Sequence, residues 1–222
     1  MTRPVNIDVV AYVDVACPWC DTEQKTVITR LKRWCTLCRC AVGNLSLRKA
    51  IATLTAEDPN VNVRIRHVPF FLHPEIPVEG IVKSPSELFG KRIRSAADAV
   101  GLTFSTTGFV SNTANALRLL KWTEDVPSVQ HDLLTVLFQR YFEKGENVGD
   151  MQVLLAAATE VGLPRDAVTK YLESDENARA IGEATRKARE DQGVHGVPYY
   201  VFNEGQYRLS GTSIHPIFFF FK

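Results

Sequence analysis

Ile7-Asp-Val-Val-Ala-Tyr-Val13-Asp14-Val-Ala-Cys17-Pro-Trp-Cys20 decides how the rest of the chain is read. Ile7 to Val13 is a mostly apolar run rich in Val, which predicts a buried strand. A Cys-x-x-Cys pair follows after three residues. At the start of a helix such a pair meets unpaired backbone N–H groups and the positive end of the helix dipole. A thiolate is stabilised there, so the first cysteine becomes a good nucleophile. The second, one turn on, is placed to attack a mixed disulfide. Pro18 suits the first turn because its missing N–H would have had no partner.

Working outward, Leu45 to Leu54 has helical spacing (Leu47, Ala50, Ile51, Leu54), and Asp58-Pro59-Asn60 is a turn. Val61 to Val68 alternates as a half-exposed strand does. Phe70 to Gly80 is a proline-bearing loop. Residues 84 to 191 read almost entirely helical. Ser84-Pro85 opens one helix towards Val100, and Ser111 is the expected cap of the next. Leu133, Leu134, Leu137, Phe138, Tyr141 and Phe142 form an apolar stripe that reads as core. Asp150 caps a fourth helix that Gly162 ends, and Pro164 opens a fifth. Asp175 to Asp191 is a charged sixth. Pro198 to Phe202, the turn Asn203-Glu204-Gly205 and Gln206 to Leu209 make a hairpin.

This order is α/β, with strands on both sides of a long helical insert. Near-neutral composition (222 residues, net charge +1, 45% hydrophobic) argues against binding nucleic acid by phosphate neutralisation. No apolar run has the length of a membrane helix, and Met1 to Asp8 lacks a signal-peptide pattern, so the expected setting is cytoplasmic, with no membrane partner. All five cysteines lie between Cys17 and Cys40. Such clustering points to redox chemistry or to metal. Cys17, Cys20, Cys35 and Cys38 have the spacing of a zinc ribbon, and a zinc-stabilised binding module is one reading of them.

The motif and the downstream sequence together resemble the DsbA-like thioredoxin-domain proteins, in particular their FrnE-like branch. Asp14-Val-Ala-Cys17-Pro-Trp-Cys20 looks like that family's active site. Pro69-Phe-Phe-Leu-His-Pro74, Ser111-Asn-Thr113, Asn147-Val-Gly-Asp150 and Gly193-Val-His-Gly-Val-Pro198 are similar to its later landmarks. The resemblance implies a thioredoxin-like fold with an inserted helical subdomain, divided as 1–82, 83–174 and 175–222. It also implies thiol–disulfide exchange on protein or glutathione-type thiols with no bound cofactor. In that reading Cys17 attacks, Cys20 resolves, and Val197–Pro198 is a cis bond that holds substrate backbone beside Trp19. Asp14 is either a proton acceptor for Cys20 or a strand-end residue bonding a turn. His195 is either a thiolate-stabilising neighbour or a surface loop histidine. A kappa-like glutathione transferase or isomerase is the alternative enzyme.

Two segments depart from the pattern. The family runs from the Cys-x-x-Cys pair directly into a helix that Val42-Gly-Asn-Leu-Ser-Leu-Arg-Lys-Ala-Ile51 resembles, so residues 21–41 are extra. They hold Trp34, Cys35, Cys38, Cys40 and basic residues that include Arg30, Lys32, Arg33 and Arg39. One explanation is an unspliced intron whose nucleotide length is divisible by three, or a mistaken gene model, giving an inactive product of a disrupted gene. A regulatory or metal-binding loop is the alternative, and Thr26 to Trp34 is its candidate helix. After Gly211 the tail, with Pro216 and four phenylalanines, replaces the expected amphipathic helix.

Overall fold

A computed structural model of the chain describes residues 4–16, 39–83, 98 and 101–211, with side chains from residue 41 onward in the second stretch. The expectations for Cys17, Trp19, Cys20, Thr26–Trp34, Cys35, Cys38, the Cys40 thiol, the Ser84–Val100 helix and the tail after Gly211 fall outside these residues.

Strand β1 (Val5–Val13) is the second strand of a four-stranded sheet. It pairs in parallel with β2 (Val61–Pro69) and antiparallel with β5 (Tyr199–Phe202), which carries β6 (Tyr207–Ser210) on its far side. The spatial order is therefore β2-β1-β5-β6. Side chains alternate across a strand, and Ile7, Val9, Ala11 and Val13 all point into the core, whereas Asp8 is exposed. Strands from both ends of the chain thus share one sheet, with the helical stretch between them. The hairpin at residues 198–209 is present, its turn formed by a short 3-10 segment, Asn203–Gly205.

Helix α1 (Arg39–Glu57) crosses from β1 to β2. It begins six residues before the expected Leu45, so Arg39 to Ala41 of the supposed extra segment are its first turn. Ala41, Val42, Leu47, Ala50 and Leu54 form its buried stripe. A small antiparallel pair, β3 (Ile81–Val82) and β4 (Phe109–Val110), precedes the helices.

Helix α2 (Ala114–Trp122) is not capped by Ser111. The Ser111 hydroxyl is buried without a hydrogen-bond partner among the described residues. Asn112 serves instead, its Oδ1 accepting from the Ala114 N–H at 2.9 Å, in the local turn that short amide side chains favour. Helix α3 (Pro127–Phe138) widens into a π-helical turn, Gln139–Glu143. The apolar stripe expected there is core: Leu133, Leu134, Leu137, Phe138, Tyr141 and Phe142 are all buried.

Asp150 caps α4 (Met151–Glu160), accepting from the N–H groups of Gln152 and Val153 at 2.8 and 3.1 Å. Gly162 follows that helix with φ of 79°, a left-handed conformation that glycine adopts without penalty. Helix α5 (Arg165–Glu173) starts one residue later than expected, with Pro164 as its flanking residue in extended conformation. Helix α6 (Ala178–Gln192) likewise starts three residues after Asp175, behind Asn177 in a left-handed conformation.

Arg118 ties α2 to the end of α5. Its guanidinium donates to the carbonyls of Tyr171, Leu172, Ser174 and Glu176 at 3.1, 3.3, 2.5 and 2.8 Å. The first two lie in the last turn of α5, where helix carbonyls lack intrahelical partners, and the other two in the turn that follows it.

Candidate active site

The first described stretch ends at Ala16, three residues past β1 and next to Cys17. Asp14 lies just before, 1% exposed. Its Oδ1 accepts from the Ala16 N–H at 3.1 Å and its Oδ2 from the Leu72 N–H at 3.0 Å. The Thr113 side chain, at the start of α2, also bonds the carboxylate. Phe71, beside Leu72, donates to the Thr185 hydroxyl of α6 at 2.8 Å. One carboxylate therefore joins the end of β1, the loop after β2 and the first turn of α2.

Burial raises the Asp14 pKa from an ordinary 3.8 to about 7, against the opposing pull of its hydrogen bonds, that of Leu72 foremost. A carboxyl balanced near neutrality can hold or release a proton in ordinary buffer. Of the two sequence readings of Asp14, the turn-bonding one is seen directly, in its bond to Ala16.

Val197–Pro198 is a cis peptide bond. Val197 is 7% exposed, and the Pro198 carbonyl accepts from the Gly211 N–H at 3.0 Å. Helix α1 meets this proline at Gly43. A Cβ built there would stand 2.8 Å from Pro198 Cγ and 2.6 Å from the Tyr200 hydroxyl, so only glycine allows the approach. Sequence reasoning missed this contact, although a glycine inside a helix costs about 1 kcal/mol relative to alanine and is a signal of close packing.

His195 is exposed in the loop leading to the cis bond. Among the described residues no three His, Cys, Asp or Glu side chains gather as metal ligands do. No helix of these residues is long and apolar enough to cross a membrane.

The structure thus has a strand that the sequence follows, three residues on, with Cys-x-x-Cys, a helix packed on a cis-proline, and helices between the halves of one sheet. The family description of the DSBA-like thioredoxin domain matches residues 8–216. The chain belongs to the DSBA-like thioredoxin domain family. Among its relatives, the uncharacterized protein YwbO of Bacillus subtilis is 24% identical over 170 residues, 74% of this chain and 81% of that one. A probable DsbA oxidoreductase from Streptomyces coelicolor superposes with a TM-score of 0.71 at 23% identity, over 96% of this chain and 86% of that one. The cytosolic disulfide reductase DsbM from Pseudomonas aeruginosa, solved with GSH, gives 0.57 at 14% identity, over 91% and 89%. These two likenesses are of fold.

Proposed function

We propose that this DsbA-like chain is a thiol–disulfide oxidoreductase working in the cytoplasm through Cys17 and Cys20. The observation that carries the reading is the cis-proline at 198, seated on the helix that follows the Cys-x-x-Cys sequence, in a chain matched to the family over nearly its whole length. The Pseudomonas protein is cytosolic and was solved with GSH, which favours protein or glutathione-type thiols as partners here.

In the reducing direction the Cys17 thiolate attacks a substrate disulfide, forms a mixed disulfide and releases one substrate thiolate. The Cys20 thiolate then attacks Cys17 Sγ. The second substrate thiolate leaves, and the protein is left with a Cys17–Cys20 disulfide. Two electrons have passed to the substrate, and an external thiol pool or reductase returns them. Asp14 takes up the proton of Cys20, a task suited to a carboxyl balanced near pH 7. Val197 and Pro198 position the substrate backbone, the proline having no N–H of its own to leave unpaired there, and Trp19 is a further docking residue.

Disulfide mapping tests this. The full chain is equilibrated in glutathione buffers of set potential, trapped, digested and analysed by mass spectrometry. A reversible Cys17–Cys20 bond is expected. Cys17→Ser is expected to abolish disulfide reduction and Cys40→Ser to leave it nearly intact. Random pairing with Cys35, Cys38 and Cys40, or equal loss in both variants, overturns the assignment. Glutathione-dependent turnover that survives Cys20→Ser would point to the transferase chemistry instead, and stoichiometric zinc on the four cysteines to a metal-stabilised module.

A further inference from the structure

Strand β2 is the outer strand of the sheet, and its free edge is only partly covered. In a parallel pair, alternate residues turn both backbone polar groups towards the partner strand and the others turn both away. The parity is fixed at the top of β2. Phe70 donates to the Val13 carbonyl of β1 at 2.9 Å, so even-numbered residues face inward. His67 faces outward, and both its groups are taken by one side chain of α3. The His67 N–H donates to Gln130 Oε1 at 3.1 Å, and Gln130 Nε2 donates to the His67 carbonyl at 3.0 Å. Gln130, 0% exposed, thus stands where the next strand of the sheet would stand.

Pro69, also of outward parity, has no N–H to satisfy, as is usual for proline in edge strands. Val63 and Ile65 share that parity, and neither backbone N–H meets a partner among the described residues. Their two donors and two acceptors open into a groove of about 560 Å³ walled by Arg48 and Ile51 of α1 and by Ser128 and His131 of α3. Unpaired edges are normally blunted because they recruit strands, and here the guarding devices stop at His67.

We propose that this edge binds an extended polypeptide segment by strand addition, with acidic and apolar side chains alternating. The hydrogen bonds would repeat at Val63 and Ile65 what Gln130 already makes at His67. On one face of the added strand, side chains would enter the groove beside Ile51 and His131. On the other they would lie over Arg64 and Arg66, which project from the solvent face of β2. Arg64 is paired with Asp8 at 2.8 Å and 70% exposed, and Arg66 forms no ion pair among the described residues. With Arg64 offset by Asp8, the positive charge that face offers is that of Arg66, and an acidic side chain opposite it completes a cross-strand pair. A second copy of the chain fits poorly, because its own α1 and α3 flank the equivalent edge and would meet these walls first. The site is separate from the thiol chemistry and stands or falls without it.

The test is amide hydrogen exchange on the full chain with the peptide Ac-Glu-Val-Glu-Val-Glu-amide. Exchange at Val63 and Ile65 is expected to slow by about tenfold at about 1 mM peptide, with His67 unchanged. Two N-methylated peptides, one blocked at the Glu nitrogens and one at the Val nitrogens, should differ sharply, because only one parity faces β2. Arg66→Glu is expected to weaken the acidic peptide by about two- to fivefold and to favour its Lys counterpart. No slowing at about 1 mM, equal binding of both methylated peptides, or slowing that follows protein concentration without peptide each overturns the proposal.

Discussion

Asp14, one residue past the end of β1, and His67, on the parallel neighbour β2, are almost equally buried, at 1% and 2% exposure, yet they end in opposite conditions. Burial pushes each towards its uncharged form. The Asp14 carboxylate accepts two backbone N–H groups, and these offset part of its desolvation, leaving its pKa at about 7. At His67 the hydrogen bonds go to the backbone, while both ring nitrogens lack a partner among the described residues. Burial first, and then the nearby His131 ring at 5.4 Å, lowers its pKa from 6.5 to about 3. One buried group titrates in the neutral range because its charged form is solvated by the fold. The other is held neutral because burial and the His131 ring outweigh the small support that Gln130 gives the charge.

The contrast has a thermodynamic signature of opposite signs. Between about pH 3 and 6.5 the unfolded chain binds a proton at His67 that the folded chain does not, so stability rises with pH. Between about pH 3.8 and 7 the folded chain keeps a proton at Asp14 that the unfolded chain has lost, so stability falls with pH. Over their shared range the two slopes nearly cancel in the native protein. Removing either group exposes the other.

The largest effect is expected for His67→Leu. Relative to the native protein, its stability in urea titrations should gain about 5 kcal/mol as the pH is lowered from 6.5 to 3. At pH 7, where His67 is neutral in both states, the same substitution removes two unpartnered ring nitrogens and costs little. Parallel curves for the two proteins across that range would show that the ring is solvated after all.

Asp14→Asn should show the reverse, by about 4 kcal/mol between pH 4 and 7. The native protein loses stability over this interval at Asp14, and the amide does not titrate. The comparison is of slopes, because an amide also turns a donor towards the Ala16 or Leu72 N–H and lowers stability at every pH. A direct titration of the Asp14 carboxyl by NMR checks the midpoint of about 7.

These two residues also mark what the sequence discloses. Asp14 is legible because it stands three residues before Cys17, and a strand end next to a reactive pair is a place to look. His67 has no ligand spacing and no motif. Its surroundings are made by Gln130, 63 positions away, and no local pattern carries that information. The same division runs through the fold. Asp150 and Gly162 act where they stand, and their helix is found from them. The α3 stripe keeps its spacing and is recovered whole.

Arg39 to Ala41 lie ahead of the helical spacing that starts at Leu45, so they look like part of a foreign segment until the helix is seen. Ser111 has the chemistry of a cap, but its hydroxyl is buried while Asn112 turns the chain. The contact of Gly43 with Pro198 spans most of the chain, and only the helix-breaking cost of the glycine hints at it.

The smallest expected effect tests whether the two halves of the His67 environment are separable. Gln130 Nε2 bonds the carbonyls of His67 and Leu120, both at 3.0 Å, and Oε1 accepts the His67 N–H. Methionine has a similar shape and none of these groups. Gln130→Met leaves the His67 N–H and carbonyl without protein partners, while the Leu120 carbonyl keeps only the Thr123 hydroxyl at 3.1 Å, at a cost of about 1 to 3 kcal/mol. Because none of the three titrates, the loss should be constant from pH 5 to 8, unlike the losses governed by Asp14 and the ring. The His67 amide should also exchange faster, since its only acceptor is gone and it now joins Val63 and Ile65 on the open edge. A loss that varies with pH would mean that Gln130 acts on the imidazole as well as on the backbone, and the contrast with Asp14 would then be one of degree.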